Sequence, residues 1–222
     1  MKIAGLDLSK NSPGCVKLEL DDSTLDIIST DYIGFTSVKK NEQKDVIHLY
    51  SKKDFNFTQD QFLKFENIIF EFLTDVSHIG IEDYAYGASG DITGLAEFCG
   101  FIKLKQFSDK KKIRLYDIPS IKMFATNFGK ADKLSMYDAF NKCKDAKPDI
   151  SKLPIVTKAS GVSPTSDIID AYWISRFLQL ELKLRKGLVN LKSLDETKIK
   201  LFNRVTKAQP ENLLATDFIE MR

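Results

Sequence analysis

The 222-residue chain predicts a mixed α/β fold, a single sheet with helices on both faces. Three observations lead there. Strand-like alternation comes first, as an N-terminal meander. Short apolar strands then take turns with stretches of helical spacing, the pattern of a mixed sheet covered by helices. Hydrophobic residues make up 43% of the chain, enough for a real core and too many for wholesale disorder.

Residues 2–8 alternate weakly and end in Asp7-Leu8-Ser9, while Cys15-Val16-Lys17-Leu18-Glu19-Leu20 alternates strictly. With the turn signal Asn11-Ser12-Pro13-Gly14 between them, the two segments predict a hairpin. A third strand falls within 25–36. Residues 37–56 are polar and basic, a mobile insertion with Val46-Ile47-His48-Leu49-Tyr50 as a short strand. From Thr58, apolar residues at Phe62, Phe65, Ile68, Ile69, Phe72, Leu73 and Val76 follow helical spacing. A buried strand, Ile79-Gly80-Ile81, follows, then a glycine-containing loop over 84–90. Helices are expected over 91–106, 119–126 and 132–144, with a strand over 113–118 ended by Pro119. The three prolines and one glycine of 145–164 make a loop, and 166–186 is a strong helix capped by Thr165 or Ser166. The division is thus a domain over 1–186 and a partly helical extension over 187–222, with helix in parts of 196–203 and 210–220.

No apolar run reaches membrane-spanning length, and the N-terminus lacks signal-peptide features, so a soluble, cytoplasmic protein is expected. Cys15, Cys99 and Cys143 show no paired spacing and read as reduced thiols. With His48 and His78 as the only histidines and no paired cysteine spacing, a zinc site of the Cys/His type is not expected. The net charge is +2; setting aside four acids (Asp7, Glu82, Asp167, Asp170) leaves +6 on the rest. Lysines concentrate between 103 and 133. Such a cluster solvates a helix face in many proteins, but beside an acidic pocket it suits a nuclease.

Those four acids interrupt the most apolar stretches. Asp7 closes Lys2-Ile3-Ala4-Gly5-Leu6-Asp7, and Glu82 closes His78-Ile79-Gly80-Ile81-Glu82. Asp167 and Asp170 open the run Asp167-Ile168-Ile169-Asp170-Ala171-Tyr172-Trp173-Ile174. Each has a bland explanation to beat. Asp7 at a strand end can form a turn, and Asp167 in a first helical turn suits the macrodipole. Glu82 is harder to dismiss, because Glu is depleted in strands. Asp170 is hardest, since apolar residues surround it. Asp83 should face away from Glu82. Asp167 and Asp170, three apart, share one side of a helix. No Lys or Arg adjoins these acids within their runs, and buried carboxylates are expensive without a neutralising partner. A hard divalent cation such as Mg²⁺ is the natural partner. Two such ions can align a water and a leaving oxygen across a phosphorus. Asp7 would bridge both ions, Glu82 and Asp170 would each hold one side, and Asp167 would complete the shell.

In this order the motifs resemble the RuvC-like Holliday junction resolvases of the RNase H-like superfamily, in particular the phage-type members. The resemblance rests on Gly5-Leu6-Asp7-Leu8-Ser9 through Pro13-Gly14, Ile81-Glu82-Asp83-Tyr84-Ala85-Tyr86-Gly87 and Leu95-Ala96-Glu97-Phe98-Cys99-Gly100. It continues in Pro119-Ser120-Ile121-Lys122 with Ala125-Thr126 through Gly129-Lys130-Ala131-Asp132-Lys133, and in Asp167-Ile168-Ile169-Asp170-Ala171. It spans about residues 2–180. It implies an RNase H-like fold, with a mixed sheet of five strands and the first strand central. It also implies a homodimer that sets two active sites on a four-way junction. Two Mg²⁺ ions per site, replaceable by Mn²⁺, would serve as the only cofactor. Lys122 and Lys133 would contact DNA near the scissile phosphate, and the loop 84–90 would reach toward the junction. One departure is Ser9 after Asp7-Leu8, where cellular RuvC proteins favour Pro-Gly after the first Asp; it points to the phage-type branch.

The basic loop reads consistently from its own residues. Gly129 lets backbone approach a phosphate, although it also suits a helix C-cap. Lys130 and Lys133 add countercharge. Tyr84 and Tyr86 suit stacking on unpaired bases or packing on the sheet edge, and Trp173 and Phe177 suit the core. The expected function is a Mg²⁺-dependent endonuclease that resolves Holliday junctions and related branched DNA by paired nicks. It would leave 5′-phosphate and 3′-hydroxyl ends. Competing readings are an RNase H-like nuclease for RNA–DNA hybrids or flaps, an inactive branched-DNA binding module, and a scaffold whose acids are caps.

Overall fold

A computed structural model describes residues 1–9, 12–36, 38, 41–48, 58–83 and 92–205. The expected hairpin is formed by β1 (Lys2–Asp7) and β2 (Gly14–Leu20), paired antiparallel with Asp7 opposite Gly14. Strand β3 (Ile27–Thr36) continues the meander, and β4 (Val46–His48) adds to it in parallel. On the other side of β1 lies β5 (His78–Glu82), parallel to it, followed by β6 (Lys112–Tyr116). The sheet order is β4-β3-β2-β1-β5-β6, so β1 is central, as the resemblance implies. The sheet has six strands rather than five. The additional strand is β4, which arises within the polar 37–56 segment because Val46 finds a fully buried position beside β3.

Side chains alternate across the sheet and build two cores. On one face Ala4, Leu6, Ile79, Ile81 and Ile113 meet α1 (Thr58–Phe72) and α2 (Ile92–Ser108) through Phe62, Phe65, Ile69, Phe98 and Ile102. On the other, Ile3, Val16, Leu18 and Tyr116 meet four helices. These are α3 (Ile118–Thr126), α4 (Lys133–Lys142), α5 (Thr165–Arg185) and α6 (Glu196–Val205). Two helix starts are capped by aspartates, Asp117 accepting from Ser120 N and Asp132 from Ser135 N. Pro119 therefore sits in the first turn of a helix, where its missing N–H is no loss, and the strand before it ends at Tyr116.

Two expected caps are different. Pro164 is the N-cap of α5, with Thr165 and Ser166 inside the helix. The Thr165 hydroxyl donates to Pro154 O, and Ser166 Oγ accepts from Val162 N, so both tie the preceding loop instead. The C-cap of α3 is Asn127, in the left-handed conformation, rather than Gly129. Gly129 lies against the start of α3, where a Cβ would stand 3.3 Å from Pro119 O.

Helix α5 is buried along almost its whole length because it is sandwiched between the sheet and its neighbouring helices. Its seat on the sheet is made by absent side chains. A Cβ on Gly5 would stand 2.2 Å from Ala171 O and 2.4 Å from Ser175 N, and one on Gly14 would stand 2.5 Å from Asp167 O. Backbone thus rests directly on backbone, and the N-terminal end of α5 comes down beside the end of β1. Further along α5, stacked rings lock it in place, Tyr116 on Phe177 at 4.4 Å and Phe177 on Phe124 at 4.7 Å. Phe202 of α6 meets Phe177 edge-on, so α6 belongs to this same core. Trp173 and Phe177 are core residues, as expected. The fully buried Glu181 carboxylate accepts from Arg114, Arg185 and the Tyr116 hydroxyl. The expected helix over 210–220 lies outside the described residues.

Candidate active site

Strand register decides where the first two acids go. Leu6 pairs with Ile81 in the parallel β1–β5 ladder, so Asp7 and Glu82, one residue further on, end side by side. Both lie on the sheet face that carries α5, because Gly5 and Gly80 of that face touch α5 residues. The seating of α5 on Gly5 and Gly14 then delivers Asp167 and Asp170 to the same corner. Asp7, Asp167 and Asp170 are all under a tenth exposed, and Glu82 is half-buried.

Electrostatics shows how closely the acids interact. Burial, followed by the repulsion of Glu82, Asp170 and Asp167, raises the Asp7 carboxyl well above its ordinary range, with Lys133 opposing. Glu82 is pushed up to about 7, first by burial and then by Asp170. Burial also raises Asp167, against hydrogen bonds from Ser163 and Ser12 and the charge of Lys133.

The corner holds a cation of the chain's own. The Lys133 ammonium, from the first residue of α4, forms an ion pair with Asp170 Oδ2. Burial works against this charge, but Asp170 and Asp7 outweigh it and hold the amine protonated above its ordinary range. No Lys or Arg adjoins the acids within their own runs, but the fold brings one from elsewhere. Lys133 arrives from 37 residues before Asp170. Lys122 on α3 is also close enough to favour the Glu82 carboxylate, whereas Lys130 is exposed on the α3–α4 loop. Tyr84 and Tyr86, with the rest of the loop 84–90, lie outside the described residues.

Sequence reading missed the hydroxyls at this corner. Ser12 donates to Asp167 Oδ2 at 2.9 Å, and its oxygen lies 3.1 Å from that of Ser163. The Ser12 backbone N–H donates to Ser9 Oγ at 3.0 Å. The signal was faint, a serine in a turn, because its partner comes from the other end of the chain.

Among the described residues, no three His, Cys, Asp or Glu side chains stand ready to share one metal ion. The donor chemistry nevertheless fits a hard divalent cation. The carboxylates are close enough to repel, burial makes Asp7, Glu82 and Asp167 resist ionisation, and Asp170 already draws a cation inward.

No family model and no curated protein sequence matches the chain. Solved structures do. Thermus thermophilus RuvC matches with a TM-score of 0.52 at 12% identity, covering 85% of this chain and 98% of that one. The fold is that of RuvC. T. thermophilus RuvC in complex with Holliday junction substrate matches with a TM-score of 0.50 at 11% identity over the same shares. The fowlpox virus Holliday junction resolvase is a looser match, with a TM-score of 0.39 at 12% identity over 81% of this chain and 99% of that one. This RuvC-like, RNase H-like fold agrees with the resemblance carried by the motifs, apart from the strand count. No described helix is long and apolar enough to cross a membrane.

Proposed function

We propose that the chain is a Mg²⁺-dependent, structure-selective DNA endonuclease that resolves Holliday junctions and related branched DNA by paired nicks. The observation that carries this reading is the meeting of Asp7, Glu82, Asp167 and Asp170 at one corner, with Lys133 and Lys122 beside them. The RuvC fold supports it, since T. thermophilus RuvC was solved with a Holliday junction substrate. Ser9 after Asp7-Leu8 supports a phage-type member of the group.

Asp7, Glu82, Asp167 and Asp170 would hold the divalent ions. Bound there, the ions would supply Lewis-acid activation of water and neutralisation of phosphate charge. Asp7 and Glu82 are fixed by the parallel ladder, so their spacing does not depend on loops. Ser12 orients Asp167. Lys122 and Lys133 supply countercharge to a phosphate, and Lys130 extends that charge along the loop. Hydrolysis by water leaves a 5′-phosphate and a 3′-hydroxyl, and no side-chain nucleophile takes part. Paired nicks require two sites, hence a homodimer, which a solution mass measurement checks.

The deciding experiment offers labelled four-way junction, linear duplex and RNA–DNA hybrid, with Mg²⁺, to wild type and Asp7→Asn. Symmetric nicking of the junction, lost in Asp7→Asn, is the expected outcome. Preferred cutting of the hybrid would transfer the reading to an RNase H-like activity. Tight junction binding without cutting in Mg²⁺ or Mn²⁺ would leave a binding module.

A further inference from the structure

Lys133 is aimed into the carboxylate corner by its surroundings. Asp132 caps α4 and makes Lys133 its first residue, and the Lys133 backbone N–H donates to Ala159 O at 3.2 Å. Its stem runs against Gly161, whose φ is +77° and where a Cβ would stand 2.9 Å from both Lys133 Cβ and Cγ. A lysine at a helix start would ordinarily extend its ammonium into water. This one turns it onto Asp170, an acid 7% exposed.

We propose that Lys133 is a tethered counter-cation of this site. Its ammonium holds Asp170 until a divalent ion replaces it, and the freed arm then turns to the DNA phosphate. The inference rests on the metal-dependent reading above and deepens it. Lysine and metal compete because two cations at contact distance from one carboxylate repel each other in a site that screens poorly. Linkage makes the competition reciprocal: the ammonium weakens metal binding by the factor by which metal weakens the ion pair. Two consequences follow. Without metal, Lys133 relieves the mutual repulsion of the four acids. With DNA present, a phosphate offers the ammonium another partner, so substrate promotes metal loading.

The test is calorimetric titration of Mn²⁺, without DNA, into wild type, Lys133→Met and Lys133→Arg, with thermal unfolding of each metal-free protein. Lys133→Met is expected to bind Mn²⁺ about tenfold more tightly than wild type, an ordinary coupling between two bound groups. Its metal-free melting temperature should fall, and Lys133→Arg, which keeps the charge, should stay near wild type in affinity. Equal or weaker Mn²⁺ binding by Lys133→Met would overturn the proposal. If that variant does not fold, the Lys133 ammonium ¹⁵N signal of the wild type, assigned by its loss in Lys133→Arg, serves instead. It should shift or vanish as Mg²⁺ is added; a signal unmoved at Mg²⁺ saturation overturns the proposal. Metal binding that ignores residue 133 defeats this inference alone, whereas absence of metal binding in every variant defeats the metal-dependent reading with it.

Discussion

Ser12 and Asp167, 155 residues apart in the chain, meet through a 2.9 Å hydrogen bond in which the serine hydroxyl donates to Asp167 Oδ2. Ser12 belongs to the turn between β1 and β2, and Asp167 to the first turn of α5. The bond ties the hairpin to the helix and leaves Asp167 little freedom to turn away from Asp7. Ser12→Ala removes a donor from a buried carboxylate, an effect of about 1–3 kcal/mol. The expected outcome is a roughly tenfold slower single-turnover cleavage of a four-way junction with junction affinity retained. An unchanged rate would show that Asp167 keeps its place without the hairpin.

The seat of α5 on β1 gives a stability test. Gly5→Val places side-chain atoms where Ala171 O and Ser175 N already stand. Overpacking of this kind costs about 3 kcal/mol, read as a lowered midpoint in urea unfolding. Gly100→Ala in α2 is the control, since a Cβ there meets open space, and alanine favours a helix. Equal behaviour of the two variants would mean that α5 is not seated by glycine contact.

Burial of the acids, and after it their mutual repulsion, makes metal-free stability depend on pH. Glu82 rises from 4.5 to about 7 on folding, and Asp7 rises as well. Between those values the folded chain holds more protons than the unfolded one, so stability falls as pH rises through that window. In EDTA the melting temperature should therefore drop between about pH 5 and pH 8. Mg²⁺ should raise it more at pH 8 than at pH 5, because metal and protons compete for the same oxygens. A melting temperature in EDTA that climbs across this range would contradict the burial of these acids.

The buried charge cluster around Glu181 should be purely structural. Arg114 pairs with the fully buried Glu181 and donates to Val205 O at the end of α6. Arg114→Met is expected to reduce stability by about 3 kcal/mol, as for other broken buried pairs. Cleavage per folded molecule should stay at the wild-type level. A selective loss of cleavage at full stability would place Arg114 in the nuclease chemistry.

Much of this fold was legible locally. Cys15–Leu20 alternate strictly because one face of β2 is more buried than the other, and the residues from Phe62 to Ile69 show helical spacing because one stripe of α1 meets the sheet. The acids stood out for a related reason, since a carboxylate at the end of an apolar run has few cheap explanations. Fainter was β4, legible only as a short strand because three residues in a polar segment carry little periodicity; the buried place of Val46 beside β3 anchors it. Thr165 and Ser166 looked like caps because both residue types favour that position; loop contacts with Pro154 and Val162 drew their hydroxyls elsewhere.

By itself, then, the sequence determined the order of the elements, the two-faced sheet and the identity of four unusual acids, because each is written in the spacing and chemistry of adjacent residues. Tertiary structure alone decided that Asp7 and Glu82 share a ladder end, that Ser12 holds Asp167 and that Lys133 neutralises Asp170. Those are meetings between distant segments. Strand register and the close approach of α5 to Gly5 and Gly14 set them, and neither leaves a local signature in the chain.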